Sequence, residues 1–392
     1  MQNINKQGWR YDKKNYKIPK EIVFCKRCVN SNQRPRITFN EKGICSACQF
    51  TDYKNHEIDW DKRKKELEKV CDLYRKNDGS YDVIVPSSGG KDSAFVGHYL
   101  KNEFGMNPLT VTWSPQEFTQ IGFENFQNHI KIGNLANILC TPPGNIHRKL
   151  TSLGMKVLGD PFLPFIYGMH NVPFLISEKF KIPLIMYGEN SEVEYGGLKE
   201  SKYNPANSRL KGEKHEKIYF SGIGPNELIN HGIKEEELYF YNRPNLKKGD
   251  IEPKSLYMGY FHKWNPQENY YYCVENTGFK PNKIRSEGTY TRFASLDDKL
   301  DGFHYYLMFI KFGFGRATSD AAHEIREGHI TREEGVQLVR KYDGEFPEKH
   351  FQLFLEYCDM SQSEFHEIVD SWRAKHVWEK KGNDWKLKNQ AK

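Results

Sequence analysis

Residues 83–95 read VIVPSSGGKDSAF. A β-branched apolar run ends in Ser-Ser-Gly-Gly, and Lys-Asp-Ser then opens a stretch suited to a helix. A turn between a strand and a helix points backbone N–H groups and the positive end of the helix dipole at one place, so it favours an anion. Gly89 and Gly90 permit close backbone approach, Ser88 and Ser93 add hydroxyl donors, and Lys91 adds a cation. The loop is not a Walker A motif: Val85 stands where that motif needs its first glycine, and Asp92 follows the lysine. The G-x-G-x-x-G spacing of the dinucleotide fold is also absent.

Outward from this loop, strands and helices alternate. Residues 81–86, 109–113, 136–140 and 182–187 read as strands, and 255–262 as a possible fifth. Residues 61–76, 91–104 and 121–132 read as helices, as do 145–180 with a break near Gly159-Asp160-Pro161. This alternation predicts an α/β fold with a doubly wound, mostly parallel sheet. Residues 190–254 are rich in Gly, Asn, Lys and Tyr and read as an insertion over one end of the sheet. Helices are expected over 297–312, 319–327, 331–341, 347–357 and 361–373. Three regions follow: 1–60 with an N-terminal arm and a metal-binding module, 61–290 around the glycine loop, and a helical 291–392 completing the active site.

Cys25, Cys28, Cys45 and Cys48 form two C-x-x-C knuckles separated by the 16 residues 29–44. That is the spacing of a four-cysteine zinc ribbon, a closed structural site, with an iron–sulfur cluster as the rival. The chain is 392 residues long with a net charge of +7 spread among mixed Lys and Glu. The pattern suits an anionic small ligand and argues against nucleic acid. No apolar run is long enough to span a bilayer and the basic N-terminus has no signal-peptide core, so no membrane association and a cytoplasmic location are expected.

Ser88-Gly89-Gly90-Lys91-Asp92-Ser93 resembles the S-G-G-x-D-S loop of the PP-loop ATP pyrophosphatases (adenine nucleotide alpha hydrolase-like fold). Three further segments narrow the resemblance: YGENSEVEY at 187–195, KWNPQENYYY at 263–272 and KFGFGRATSD at 311–320. With the cysteine quartet they make the chain similar to the N-acetyl sugar amidotransferase family (PseA/WbpG-like), from about residue 20 to about residue 375. The resemblance implies an ATP-dependent conversion of a sugar N-acetyl group to an acetamidino group. The sugar would be of the pseudaminic, legionaminic or diacetamido uronic acid type, as used in lipopolysaccharide biosynthesis or flagellin glycosylation. It further implies Mg²⁺, and glutamine-derived ammonia from a glutaminase and a barrel-shaped ammonia-channel partner (HisH/HisF-like), since no glutaminase is visible in this chain.

On that reading Ser88, Gly89, Gly90, Lys91 and Ser93 hold pyrophosphate, Asp92 holds magnesium, and Gly188 allows close approach of nucleotide. Glu189, followed by Asn190 at the nucleotide site, holds a second Mg²⁺ or takes a proton from ammonia; alternatively Glu189 and Asn190 are a helix-capping or insertion-anchoring pair. Lys311 and Arg316 suit phosphate oxygens, or are solvated charges around a glycine turn. Trp264, Asn265, Gln267, Glu268 and Tyr271 read a sugar or base, or the aromatics are core. Asp297 and Asp298 bind a cation, or favour the N-terminus of the helix they open. Cys140 reads as a strand-end core thiol. The rival functions are a PP-loop tRNA-modifying enzyme, either a thiolase or a lysidine-type ligase, and an inactive nucleotide sensor.

Overall fold

The computed structural model describes residues 19–197, 199–206, 228–244 and 250–392. Residues 1–18 of the expected arm, and residues 198, 207–227 and 245–249 of the expected insertion, lie outside them. Two helices lead in, α1 (Ser46–His56) and α2 (Trp60–Tyr74). Then β1 (Val83–Pro86), α3 (Lys91–Phe104), β2 (Pro108–Trp113), α4 (Gln120–Lys131) and β3 (Ala136–Cys140) alternate. After α5 (Gly144–Leu158) and α6 (Leu163–Phe180) come β4 (Leu184–Tyr187), a short α7 (Ser191–Glu194) and β5 (Lys254–Tyr257). The strands form one sheet in the order β3-β2-β1-β4-β5, every pair parallel, with Ile84 opposite both Leu109 and Ile185.

Both faces of the sheet are buried because successive strand residues point to opposite sides. Val83 and Val85 of β1 pack with Leu184 and Met186 against Ala94, Val96 and Leu100 of α3 and Leu67 of α2. Ile84 packs with Leu109, Val111, Trp113 and Ile185 against Ile146 and Leu150 of α5 and Val172 and Phe174 of α6. The chain runs from β1 outward to β3, then returns to place β4 on the other side of β1. The order therefore reverses at β1, and the loop after β1 opens at the strands' carboxyl ends, where such sheets bind ligands.

The expected fifth strand is half strand and half helix. Pairing stops at Tyr257, and α8 (Met258–Phe261) follows. Met258 and Phe261, three residues apart, both enter the core, which a helical turn permits and a strand does not. KWNPQENYYY is also helical, as α9 (Pro266–Asn276), with Asn265 as its cap and Pro266 at its first position.

Five helices follow: α10 (Asp301–Phe312), α11 (Arg316–Glu327), α12 (Arg332–Tyr342), α13 (Phe351–Cys358) and α14 (Gln362–Ser371). The first begins four residues later than expected, because the Asp298 carboxylate accepts the N–H groups of Leu300 and Gln116, at 2.8 and 2.5 Å. A hairpin of β6 (Trp378–Lys381) and β7 (Asp384–Leu387) closes the described chain, turning through Gly382 and Asn383. Its two-residue Gly-Asn loop was the local signal for it.

The cysteine module shares its core with the C-terminal helices. Cys25, Cys28, Val29, Cys45 and Cys48 cluster with Ala321 and Ala322 of α11 and Val336 and Val339 of α12.

Candidate active site and metal centre

The loop after β1 meets the C-terminal region across a cavity of about 320 Å³. Ser88, Gly90, Lys91, Asp92 and Ser93 form one side. Asp297, Asp298, Asp301 and Arg316 form the facing side. An apolar wall comes from Val111 and Trp113 of β2 and from Phe162, Phe165 and Met169 around the start of α6. A site of this size with an apolar wall and a few converging polar groups suits a small molecule.

Local chemistry positions the loop. Gly90 is the N-cap of α3 and brings no capping side chain, so the first-turn N–H groups of that helix are left to another acceptor. Ser87 Oγ lies 3.1 Å from Ser93 Oγ, and Ser93 donates to the Gly90 carbonyl at 3.0 Å. Lys91 Nζ pairs with Asp92 at 2.5 Å. Asn269 of α9 donates to the other Asp92 oxygen at 3.3 Å, and the buried Cys273 thiol donates to the Lys91 carbonyl at 3.0 Å. Gly89 does not line the cavity. Its φ is +88°, and a Cβ there would sit 2.6 Å from the Phe126 Cα of α4. Gly89→Ala is therefore expected to lower stability by about 2 kcal/mol or more, from strain plus a backbone clash, measurable by thermal unfolding.

The facing side is held by backbone pairing. Residues 296–299 run along 117–119: Thr119 N–H donates to the Asp297 carbonyl at 3.1 Å and Lys299 N–H to the Glu117 carbonyl at 2.8 Å. Gly122 allows this approach, since a Cβ there would lie 2.6 Å from the Asp297 Cα. Asp297 is thereby presented to the loop and accepts the Ser88 hydroxyl at 2.5 Å. Arg316 donates to Tyr305 Oη at 2.6 Å and to Asp320 at 3.0 Å.

Burial dominates the carboxyl groups here. It pushes Asp297 up to about 6, against the pull of Ser88, and Asp298 up to about 7, against its N–H donors. Glu189 rises to about 7 through burial, then the repulsion of Asp92. Between about pH 4, where a free aspartate titrates, and about pH 7, the folded chain keeps protons that the unfolded chain has released. The stability these groups contribute is complete below about pH 4 and is lost as pH rises toward 7. Melts between pH 4 and 8 should show that slope, and Asp297→Asn should flatten it.

The sequence-predicted residues separate clearly. Ser88, Gly90, Lys91, Asp92, Ser93 and Arg316 meet at the cavity. Glu189 stands close enough for Asp92, Lys91 and Arg316 to act on its charge, without lining the cavity. Gly188 makes room for Trp264, whose ring a Cβ would meet at 2.9 Å. Asn190 donates to the Ser201 carbonyl at 3.2 Å, as an anchor for the segment beyond β4.

None of Trp264, Asn265, Gln267, Glu268 and Tyr271 lines the cavity. Trp264 is fully buried, so its faces are core. Asn265 caps α9 and donates to Glu268, and Gln267 bonds Tyr271, which is exposed. Lys311 donates to the Leu158 carbonyl at 2.6 Å at the end of α5 and lies over the Trp372 ring. No cysteine lines the cavity: Cys140 ends β3 and Cys273 sits behind Lys91. The aromatic wall left no sequence signal, because Trp113, Phe162 and Phe165 read like any core residues.

The four cysteines are fully buried and their sulfurs lie within 4.8 Å of one another. Cys25 and Cys48 are 3.8 Å apart, and Cys28 and Cys45 are 3.7 Å apart. Four sulfurs held tetrahedrally at about 2.3 Å from one zinc ion stand about 3.8 Å apart. The quartet therefore fits one zinc ion, and it is too tight to enclose a multi-iron cluster. N–H groups of Arg27 and Cys45 point at Cys25 Sγ, and that of Asn30 at Cys28 Sγ, as thiolates require. Among the described residues no other group of three or more such ligands comes together.

Residues 287–392 match a family model described as LPS biosynthesis protein WbpG-like, C-terminal domain. Over these residues the chain is similar to the WbpG-like C-terminal domain. The match supports the PseA/WbpG-like family. An uncharacterized protein of Methanocaldococcus jannaschii, MJ1599, is 33% identical over 108 residues, which is 27% of this chain and 38% of that protein. The match thus spans well under half the relative's length. The WbpG-like region supplies the whole acidic side of the cavity, with Arg316, and also the helices on which the cysteine module docks. Among the described residues no helix is long and apolar enough to cross a membrane.

Proposed function

We propose that this WbpG-like protein is an ATP-dependent sugar amidotransferase of the PP-loop type. The carrying observation is the cavity itself. An uncapped helix start with Lys91 and Asp92 faces Asp297 and Arg316 of the WbpG-like region, with an aromatic wall between.

An amide carbonyl is a poor electrophile and its oxygen a poor leaving group. In the proposed reaction the acetamido oxygen attacks the α-phosphate of ATP, and pyrophosphate leaves with formation of an O-adenylyl imidate. Ammonia then adds to the imidate carbon, AMP departs, and an amidine remains. The backbone of the β1–α3 loop, Ser88, Ser93 and Lys91 would bind the departing pyrophosphate. Asp92, steadied by Asn269, is a hard oxygen donor placed to hold Mg²⁺, which when bound would offset phosphate charge. Arg316 would bind anionic oxygens from the opposite side, and the apolar wall would take a base or sugar face and exclude water. Glu189, poised near neutrality, is suited to accept a proton during ammonia addition. The nitrogen source would be a glutaminase partner, with ammonium as its substitute in the test tube.

Purified protein with ATP, Mg²⁺, ammonium and candidate acetamido sugars tests this. Mass spectrometry should find AMP, pyrophosphate and a sugar in which NH has replaced O. Release of ADP and phosphate, or turnover that needs tRNA and ignores acetamido sugars, would overturn it.

A further inference from the structure

We propose that ammonia reaches the reacting carbon through a second, water-sized cavity on the far side of Arg316. The inference rests on the amidotransferase reading and specifies the route of its third substrate.

Arg316 lines two cavities, the main one and a smaller one of about 10 Å³. About 10–15 Å³ is the room that one water molecule needs. Ammonia is of similar size, whereas a sugar or nucleotide is not. Gly288, Gly302, Gly315 and Gly344 line the small cavity, so much of its wall is backbone. Glu287 and Glu345 add carboxylates. Glu345 is fixed there by both Arg285 nitrogens, each at 2.6 Å, and by the Gly288 N–H at 2.7 Å.

Arg316 is shared by both cavities and donates to Tyr305, which lines the small one. Tyr305 lies one helical turn beyond Asp301, which lines the main cavity. A small displacement of Arg316 and Tyr305 would join the two spaces.

The chemistry calls for such a route. Sugar and nucleotide together would fill the main cavity, and an adenylated imidate is spoiled by water. Ammonia must therefore arrive late and by another path. Glu345 is paired with Arg285, so the Glu287 carboxylate is the group that attracts ammonium, while the Arg316 guanidinium repels the cation and passes the neutral molecule. The proton given up when ammonium becomes ammonia returns to solvent.

The test separates the two half-reactions. Exchange of labelled pyrophosphate into ATP, with acetamido sugar and no ammonium, reads adenylation alone. Amidine formation over an ammonium titration reads delivery. A Cβ at Gly302 would lie 3.0 Å from Pro347 Cβ, and both residues line the small cavity. Gly302 is helical, so alanine suits its backbone. Gly302→Ala, and the bulkier Gly302→Leu, should raise the KM for ammonium at least about tenfold while leaving exchange and the KM for ATP within about twofold. Thermal melts would verify folding. An unchanged ammonium KM in both folded variants, with exchange intact, overturns the route. Absence of exchange in the parent protein overturns the amidotransferase reading, and the route with it.

Discussion

Asp92→Ala will retain the parent's melting curve and lose pyrophosphate release by about 10²–10³-fold. The two halves of that expectation have different causes. The Asp92 side chain is 41% exposed and its polar contacts are with Lys91 and Asn269, so little folding energy depends on it. Its loss frees Lys91 and removes the hard oxygen donor beside the helix start, where on the proposed mechanism charge would build on the departing pyrophosphate. Asn269→Ala should show a weaker version of the same loss, because it steadies one Asp92 oxygen. Turnover at the parent rate in the folded Asp92→Ala protein would remove the loop from the chemistry.

Loss of one zinc ligand should act in the opposite way, on stability first. Cys45→Ser is expected to abolish bound zinc and to cost at least about 3 kcal/mol, since structural zinc contributes about 10–16 kcal/mol shared among four ligands. The effect should spread beyond the module. Arg36 holds the buried Glu192 through both oxygens at 2.7 and 2.8 Å, and Ser46 donates to the Gly196 carbonyl at 2.7 Å. Lys54, itself buried, reaches Glu327 at 2.6 Å and the Trp264 carbonyl at 3.0 Å. Through these contacts the module grips the turn after β4 that carries Glu189, as well as α11. Pyrophosphate release should therefore fall before the sheet melts when a chelator strips the metal. Metal analysis, a melting curve and the release assay on one sample would check all three, and unchanged zinc content in Cys45→Ser would show that the quartet holds no metal.

Much of the framework was readable locally. The helix predicted over 91–104 and the strand over 136–140 match the structure residue for residue, because a short apolar run and a sharp glycine turn leave strong one-dimensional signals. The polar half of the cavity was readable for the same reason, as one contiguous loop. KWNPQENYYY does not line the cavity: Trp264, just before α9, is buried, and Tyr271 on α9 stands in solvent. Lys311 and Arg316, five residues apart, looked equivalent, yet a glycine-broken joint between α10 and α11 sends one to the end of α5 and the other into the cavity.

By itself, then, the sequence determined the parallel α/β framework, the glycine turn after β1 and the paired cysteine knuckles, all of which depend on residues close together along the chain. Tertiary structure alone decided that Asp297, 209 positions from Ser88, completes that turn, that the knuckles rest on α11 and α12, and that Arg316 stands between two cavities. Those pairings arise from how the C-terminal region folds back over the sheet's carboxyl edge, and no local pattern of side chains encodes a contact made across such a distance.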